Sequence, residues 1–200
     1  MDYKVMRDRI SRRDDLVARL THLTRGSTDD DAFDVLWKIL TEKKLNGSDN
    51  SGYGIGDTKA VCFQEVPLYS IAQSLLYEDD KSDIIRYSWF GLRFNKNVLF
   101  RRGARPVIYG KTEELKRLLP PDNYWRIVRL DLDSSKNCID WTHEREWRIK
   151  NDCPFEYDDI EVIVKNDIYY RKFIERCITE KRMEILSEIH GIVPLNTVIS

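Results

Sequence analysis

The apolar positions along the chain recur at two different periods, and the change from one to the other marks the elements. Leu16 to Thr24 (LVARLTHLT) has the spacing of a strand, interrupted by Arg19 and His22. Phe33, Leu36, Trp37 and Leu40 recur at helical spacing. Their helix opens at a cap, Ser27 or Thr28, followed by Asp29, Asp30 and Asp31, which suit its positive N-terminal end. Asn46-Gly47 is expected to end it. Strands are expected at Ala60 to Phe63, in the aromatic stretch Ile84 to Phe94, at Val107 to Tyr109, at Trp125 to Leu132 and at Ile160 to Val164. Helices are expected at Tyr69 to Tyr77, at Thr112 to Leu119 with Thr112 as cap and Pro120-Pro121 as stop, and from Ile168 towards His190. Asn97 to Phe100 reads as a helical turn, and a short apolar tail follows Gly191 and Pro194.

No period of 20 to 50 residues repeats, so a solenoid is excluded. Strands and helices mix without regular β-α-β spacing. The pattern predicts an α+β fold, a single domain with a mixed or antiparallel sheet flanked by helices. Residues 1–15 form a polar N-terminal extension, and residues 16–200 form the domain, helical from about residue 168.

Composition narrows the function classes. The chain has 200 residues and a formal net charge of -1, with no basic excess to coat a nucleic acid. No run reaches the roughly 18 apolar residues that span a bilayer. The N-terminus lacks the apolar core of a signal peptide. Cys62, Cys138, Cys153 and Cys177 are scattered, with no C-x-x-C pair, and read as reduced thiols of a cytoplasmic protein. No His or Cys pair stands at zinc-ligand spacing, so no metal is expected.

Candidate chemistry concentrates in Asp140 to Ile149 (DWTHEREWRI). If its second half is a strand, Glu144, Glu146 and Arg148 share one face, and the two carboxylates lie about 7 Å apart at their Cβ atoms. Such a pair couples electrostatically, with Arg148 as counter-charge. His143 is the one histidine inside this stretch, able to act as acid or base. Upstream, His22 and Thr24 close the first strand, where they can hold an amide or a ribose. Arg25 and Gly26 follow and can approach an anion. Arg93 lies within an apolar run and needs a partner. Arg101, Arg102 and Arg105 form the strongest local positive cluster, suited to phosphate or to salt bridging. Gly52, Gly54 and Gly56 precede a strand, whereas a dinucleotide fingerprint follows one, so they read as a loop.

HLTRG, AFDVLWKIL, KAVCFQEVPL, YSWFGLRFNKNVLFRRGARPVIYG, WRIVRLDL and DWTHEREWRI, in that order, resemble the AbiGi-type family of abortive-infection proteins and related uncharacterised bacterial proteins. The resemblance runs over roughly residues 16 to 165. It implies a bacterial cytoplasmic protein of phage defence, described in some cases as the antitoxin partner of a toxin–antitoxin pair. A more distant resemblance is to ADP-ribosyltransferases, through the H-x-T of His22 and Thr24 and the Glu-x-Glu of Glu144 and Glu146. It implies a fold of that type and NAD as cofactor. His22 and Thr24 would seat the nicotinamide end, and Arg93 or Arg105 would pair with the pyrophosphate. Glu146 would stabilise the ribosyl cation, and Glu144 would orient a ribose hydroxyl or a protein or nucleic-acid acceptor. The family's Ser-Thr-Ser strand is missing here.

Three readings follow: an NAD-using transferase in phage defence, a non-catalytic antitoxin-like interaction module with a protein partner, and a nuclease holding Mg²⁺ on Asp140, Glu144 and Glu146.

Overall fold

A computed structural model describes residues 5, 8–10, 12–48, 58–81, 86–133 and 138–199. The fold is α+β, with mostly antiparallel strands and helices, and the chain divides into two compact units. The first comprises residues 1–43, 66–96 and 155–200, and the second 44–65 and 97–154.

In the first unit, β1 (Arg19–Leu23) pairs antiparallel with β4 (Gly91–Asn95), which pairs antiparallel with β10 (Ile160–Val164). β11 (Ile192–Pro194) adds to β10 in parallel. The register opposes Leu20 to Phe94, Phe94 to Ile160, and Leu92 to Val162, so these side chains share one face. All five are fully buried. The opposite face carries Arg19, Thr21, Arg93 and Glu161.

α1 (Asp29–Glu42) begins as the sequence indicates, with the Thr28 hydroxyl accepting from the Asp31 N–H. Its stripe of Phe33, Leu36, Trp37 and Leu40 is buried. It lies against α5 (Asp167–Thr179), with Phe33 meeting Tyr169 and Trp37 meeting Phe173. α1 stops earlier than Asn46-Gly47. Lys43 takes a left-handed conformation at φ 50° and returns its N–H to the last turn, and β2 (Lys44–Leu45) follows directly. The long C-terminal helix is likewise two: α5 ends, Lys181 turns at φ 55°, and α6 (Met183–Glu188) begins. The apolar tail is β11, and α2 (Leu68–Lys81) lies against the 3-10 turn Leu195–Val198 that follows it. In Ile84 to Phe94 the described strand starts only at Gly91.

In the second unit, β3 (Ala60–Gln64), β8 (Glu146–Lys150) and β5 (Arg105–Pro106) form an antiparallel set with β8 in the middle. β2 pairs with β9 (Cys153–Pro154), and β6 (Ile108–Gly110) pairs with β7 (Ile127–Arg129) in parallel. α3 (Lys96–Arg101) leads into this unit, and α4 (Thr112–Leu118) follows β6. Lys111, not Thr112, stands at the α4 cap, and it makes no side-chain capping bond. Trp125 falls in a 3-10 helix, Pro121–Arg126, that precedes β7.

Candidate functional site

Asp140 to Ile149 changes conformation at its midpoint. The Asp140 carboxylate accepts from the backbone N–H and the hydroxyl of Thr142, which holds its pKa below the ordinary value. This bonding is a local turn of the kind short polar side chains favour. Thr142–Glu144 then forms a 3-10 turn, Arg145 adopts φ 44°, and β8 starts at Glu146. Glu144 therefore does not share a strand face with Glu146 and Arg148. The left-handed Arg145 breaks the alternation that would have aligned them.

Glu146 and Arg148 do share a face, and both are buried, at 8% and 3% exposure. Arg148 Nε donates to Glu146 Oε1 at 2.7 Å and Nη2 to Oε2 at 3.3 Å. Arg148 Nη1 donates to the carbonyls of Trp125 and Ile127 at 2.8 and 3.3 Å. Burial pulls the Arg148 pKa down, but the charges and hydrogen bonds of Glu146 and Cys62 together outweigh it, and the guanidinium ends above its ordinary value. The Glu146 N–H donates to the Tyr109 hydroxyl at 2.8 Å. Burial and the charges of Glu146 and Glu144 push that phenol up to about 12. Opposite Arg148 on β3 stands Cys62, whose thiol burial and Glu146 raise to about 12. A thiol so placed stays protonated and is a poor nucleophile. On the other face of β8, the Trp147 indole donates to Glu65 at 2.6 Å.

Arg105 opposes Arg148 from β5. Its Nη1 donates to the carbonyls of Phe100 and Ala104, and its guanidinium lies 4.2 Å from the centre of the Phe100 ring. His143 is exposed, with its ring 5.9 Å from that of Trp141.

In the first unit, Thr24 follows β1 and is 3% exposed. Its hydroxyl lies 2.8 Å from Ser88 Oγ and donates to the Phe90 carbonyl at 3.1 Å. Backbone bonds from Thr24 to Phe90 and from Ser88 to Thr24 complete a clip between the exit of β1 and the entry to β4. His22 is half-buried on β1 opposite Leu92. Gly91 allows that pairing, since a Cβ there would lie 2.3 Å from the His22 carbonyl oxygen. Gly26 is used for packing, as a Cβ would meet the Ala32 backbone nitrogen at 2.4 Å. Arg93 finds the partner its apolar surroundings require: Nη1 lies 2.6 Å from Glu161 Oε2, while Arg19 Nε lies 2.9 Å from Oε1 of the same carboxylate. Burial lowers the Arg93 pKa against the pull of Glu161.

The structure thus joins Glu146 and Arg148 with Tyr109 and Cys62, and Arg93 with Arg19 and Glu161. Tyr109, Cys62, Glu161 and Ser88 had no sequence motif to mark them; only the tertiary fold brings them to their partners. Among the described residues, no three His, Cys, Asp or Glu side chains gather as a metal-binding set. Gly52, Gly54 and Gly56 lie outside the described residues.

These features define an α+β protein in which Glu146 and Arg148, and Arg93 and Glu161, form enclosed pairs. No family model, no curated protein and no solved structure matches the chain. Among the described residues, no helix is long and apolar enough to cross a membrane.

Proposed function

We propose that the chain is a non-catalytic protein-interaction module, acting as an antitoxin-like partner in bacterial phage defence. The observation that carries this reading is an exposed stripe on α2. Tyr69, Leu76 and Tyr77 are 51%, 45% and 68% exposed, while Ile71, Ala72 and Leu75 bury the other side of the same helix. Their spacing places the three on one face. The Gln73 amide donates to the Tyr69 hydroxyl at 3.0 Å and holds that ring in place. Tyrosine supplies much of the binding energy at protein interfaces, and an apolar stripe left in water is the usual mark of one. The phage-defence setting rests on the resemblance to abortive-infection proteins.

An NAD-using transferase would need Thr24, Arg93 and Glu146 to turn polar groups towards a dinucleotide. Each engages such groups within the fold: Thr24 with Ser88, Arg93 with Glu161, Glu146 with Arg148. This supports the interaction reading over the catalytic one.

Two measurements test it. Phage plaque formation is compared in hosts carrying the chain with its neighbouring genes, as wild type and as the Tyr69→Ala, Leu76→Ala, Tyr77→Ala triple variant. Loss of the defence phenotype is expected, with unchanged melting of the purified variant; an unaltered phenotype removes α2 as the interface. Incubation with millimolar NAD is expected to release no nicotinamide. NAD turnover that disappears in a folded Glu146→Gln variant would replace this reading with the transferase.

A further inference from the structure

Several of the described cations stand beside an acid. Arg19 and Arg93 share Glu161, Arg148 holds Glu146, and Arg176 bridges Asp34 and Glu180. In the second unit Lys111 bridges Asp133 and Arg129 bridges Asp131. With 33 basic and 34 acidic residues, such pairing is available throughout. Arg105 and Arg126 depart from it.

These two guanidiniums come together at the edge strand β5. Arg126 reaches from the end of the 3-10 helix and donates through Nε and Nη2 to the carbonyl of Pro106, at 3.1 and 3.0 Å. Pro106 is the residue after Arg105, whose own Nη1 donates to the carbonyls of Phe100 and Ala104 at 2.9 and 2.7 Å. Both side chains are half-buried, and neither has a carboxylate within ion-pair distance among the described residues. A guanidinium has five N–H donors, and two on each are used by carbonyls. The remaining donors on each guanidinium meet no carboxylate among the described residues. Arg101 stands exposed at the end of α3, and Phe100 is 48% exposed beneath the Arg105 guanidinium.

We propose that Arg105 and Arg126 form a binding site for the phosphoryl group of a small phosphorylated ligand, with Arg101 and Phe100 at its rim. Paired guanidinium forks match the oxygens of phosphate in geometry and charge. The backbone carbonyls fix the forks beforehand, so little side-chain entropy is lost on binding. Burial and the positive charge of Arg105 both depress the Arg126 pKa, a like-charge strain that a bound anion relieves. The site lies within the second unit and does not rest on the interaction reading, whose surface is on α2.

The test is calorimetric titration of the full chain with inorganic phosphate, pyrophosphate, a 5′-mononucleotide and a single-stranded oligonucleotide. Wild type is compared with Arg105→Gln, Arg126→Gln, Arg126→Lys and the control Arg117→Gln. Submillimolar binding of pyrophosphate or the mononucleotide is expected. It should weaken at least about tenfold in either Gln variant, a loss of about 1.4 kcal/mol. Arg126→Lys, which keeps the charge but loses the fork, should weaken binding less than Arg126→Gln, and Arg117→Gln should leave it unchanged. Thermal melts of each variant separate loss of the site from loss of the fold. No binding of the three small phosphates up to millimolar concentration overturns the proposal, as does equal weakening by Arg117→Gln. Binding of the oligonucleotide alone, with steep salt dependence, overturns it in favour of a nucleic-acid backbone.

Discussion

Glu146 and Arg148 stand two residues apart on one strand and are joined by two hydrogen bonds, at 2.7 and 3.3 Å, almost wholly buried. The pair is neutral as a unit, and its remaining Arg148 donors meet the carbonyls of Trp125 and Ile127. Its integrity therefore matters to the fold before it matters to any ligand.

Removing one partner of such a pair strands the other. Glu146→Ala is expected to cost about 3–5 kcal/mol, the range for an uncompensated buried charge. The Glu146→Leu, Arg148→Met double variant should recover much of that loss. Urea denaturation of the single and double variants checks both statements. A Glu146→Ala protein as stable as wild type would show that Arg148 finds solvent or another acid.

Glu161 carries two guanidiniums, so its loss leaves Arg19 and Arg93 facing each other across the sheet. Glu161→Gln is expected to destabilise by about 1–3 kcal/mol, since these groups are only partly withdrawn from water. Raising the salt concentration should narrow the gap between variant and wild type in the same melts.

Gly91→Ala tests the close approach of β1 and β4. The added methyl would lie 2.3 Å from the His22 carbonyl oxygen, backbone rather than a movable side chain. A loss of about 3 kcal/mol or more is expected, read as a lowered melting temperature. Amide exchange should accelerate along Arg19–Leu23 and Gly91–Asn95.

Lys181 offers the opposite sign. It turns the chain between α5 and α6 at φ 55°, a conformation that favours glycine. Lys181→Gly is expected to stabilise by about 0.5–1 kcal/mol in thermal or urea unfolding. Lys43 has a similar φ but also binds Glu156 and lies 4.3 Å from the Tyr157 ring centre, so Lys43→Gly should gain less.

Alkaline pH should weaken the fold through thiols and phenols held protonated, among them Cys62, Tyr109 and Cys177, for which burial is the first cause. Burial raises Cys62 and Tyr109 to about 12 and Cys177 to about 11, from ordinary values of 9.0, 10.0 and 9.0. Each stays protonated in the folded chain after its unfolded counterpart has ionised. Their contribution is whole below about pH 9 and is lost as pH climbs towards 12. Equilibrium unfolding across that window should show falling stability, with a shallower fall in Cys62→Ala. At pH 8, alkylation should label the exposed Cys138 well before Cys62 or Cys177.

The elements of the first unit were largely legible because their apolar residues keep one period throughout. Phe33, Leu36, Trp37 and Leu40 lie on one side of α1, and Thr28 caps it. Stops written in backbone conformation were not legible, because Lys43, Arg145 and Lys181 hold left-handed turns without being glycine. The Arg145 turn is what separates Glu144 from the face it was expected to share with Glu146. Partners far apart in sequence were hidden for a different reason. Arg93 announced that it needed an acid, but which acid depended on the register of β10 against β4. Arg126, at the end of a 3-10 helix, reaches the edge strand by a path that no local pattern records.

The division of the chain into two units has a consequence for its synthesis. All residues of the second unit, 44–65 and 97–154, are polymerised before β10, α5, α6 and β11. Until then β4 lacks its partner β10, Arg93 lacks Glu161, and the apolar face of Leu20, Leu92 and Phe94 is incomplete. The unit whose strands come first in the sequence is the one whose core closes last, and a nascent chain stalled near residue 154 would hold that face open to chaperones.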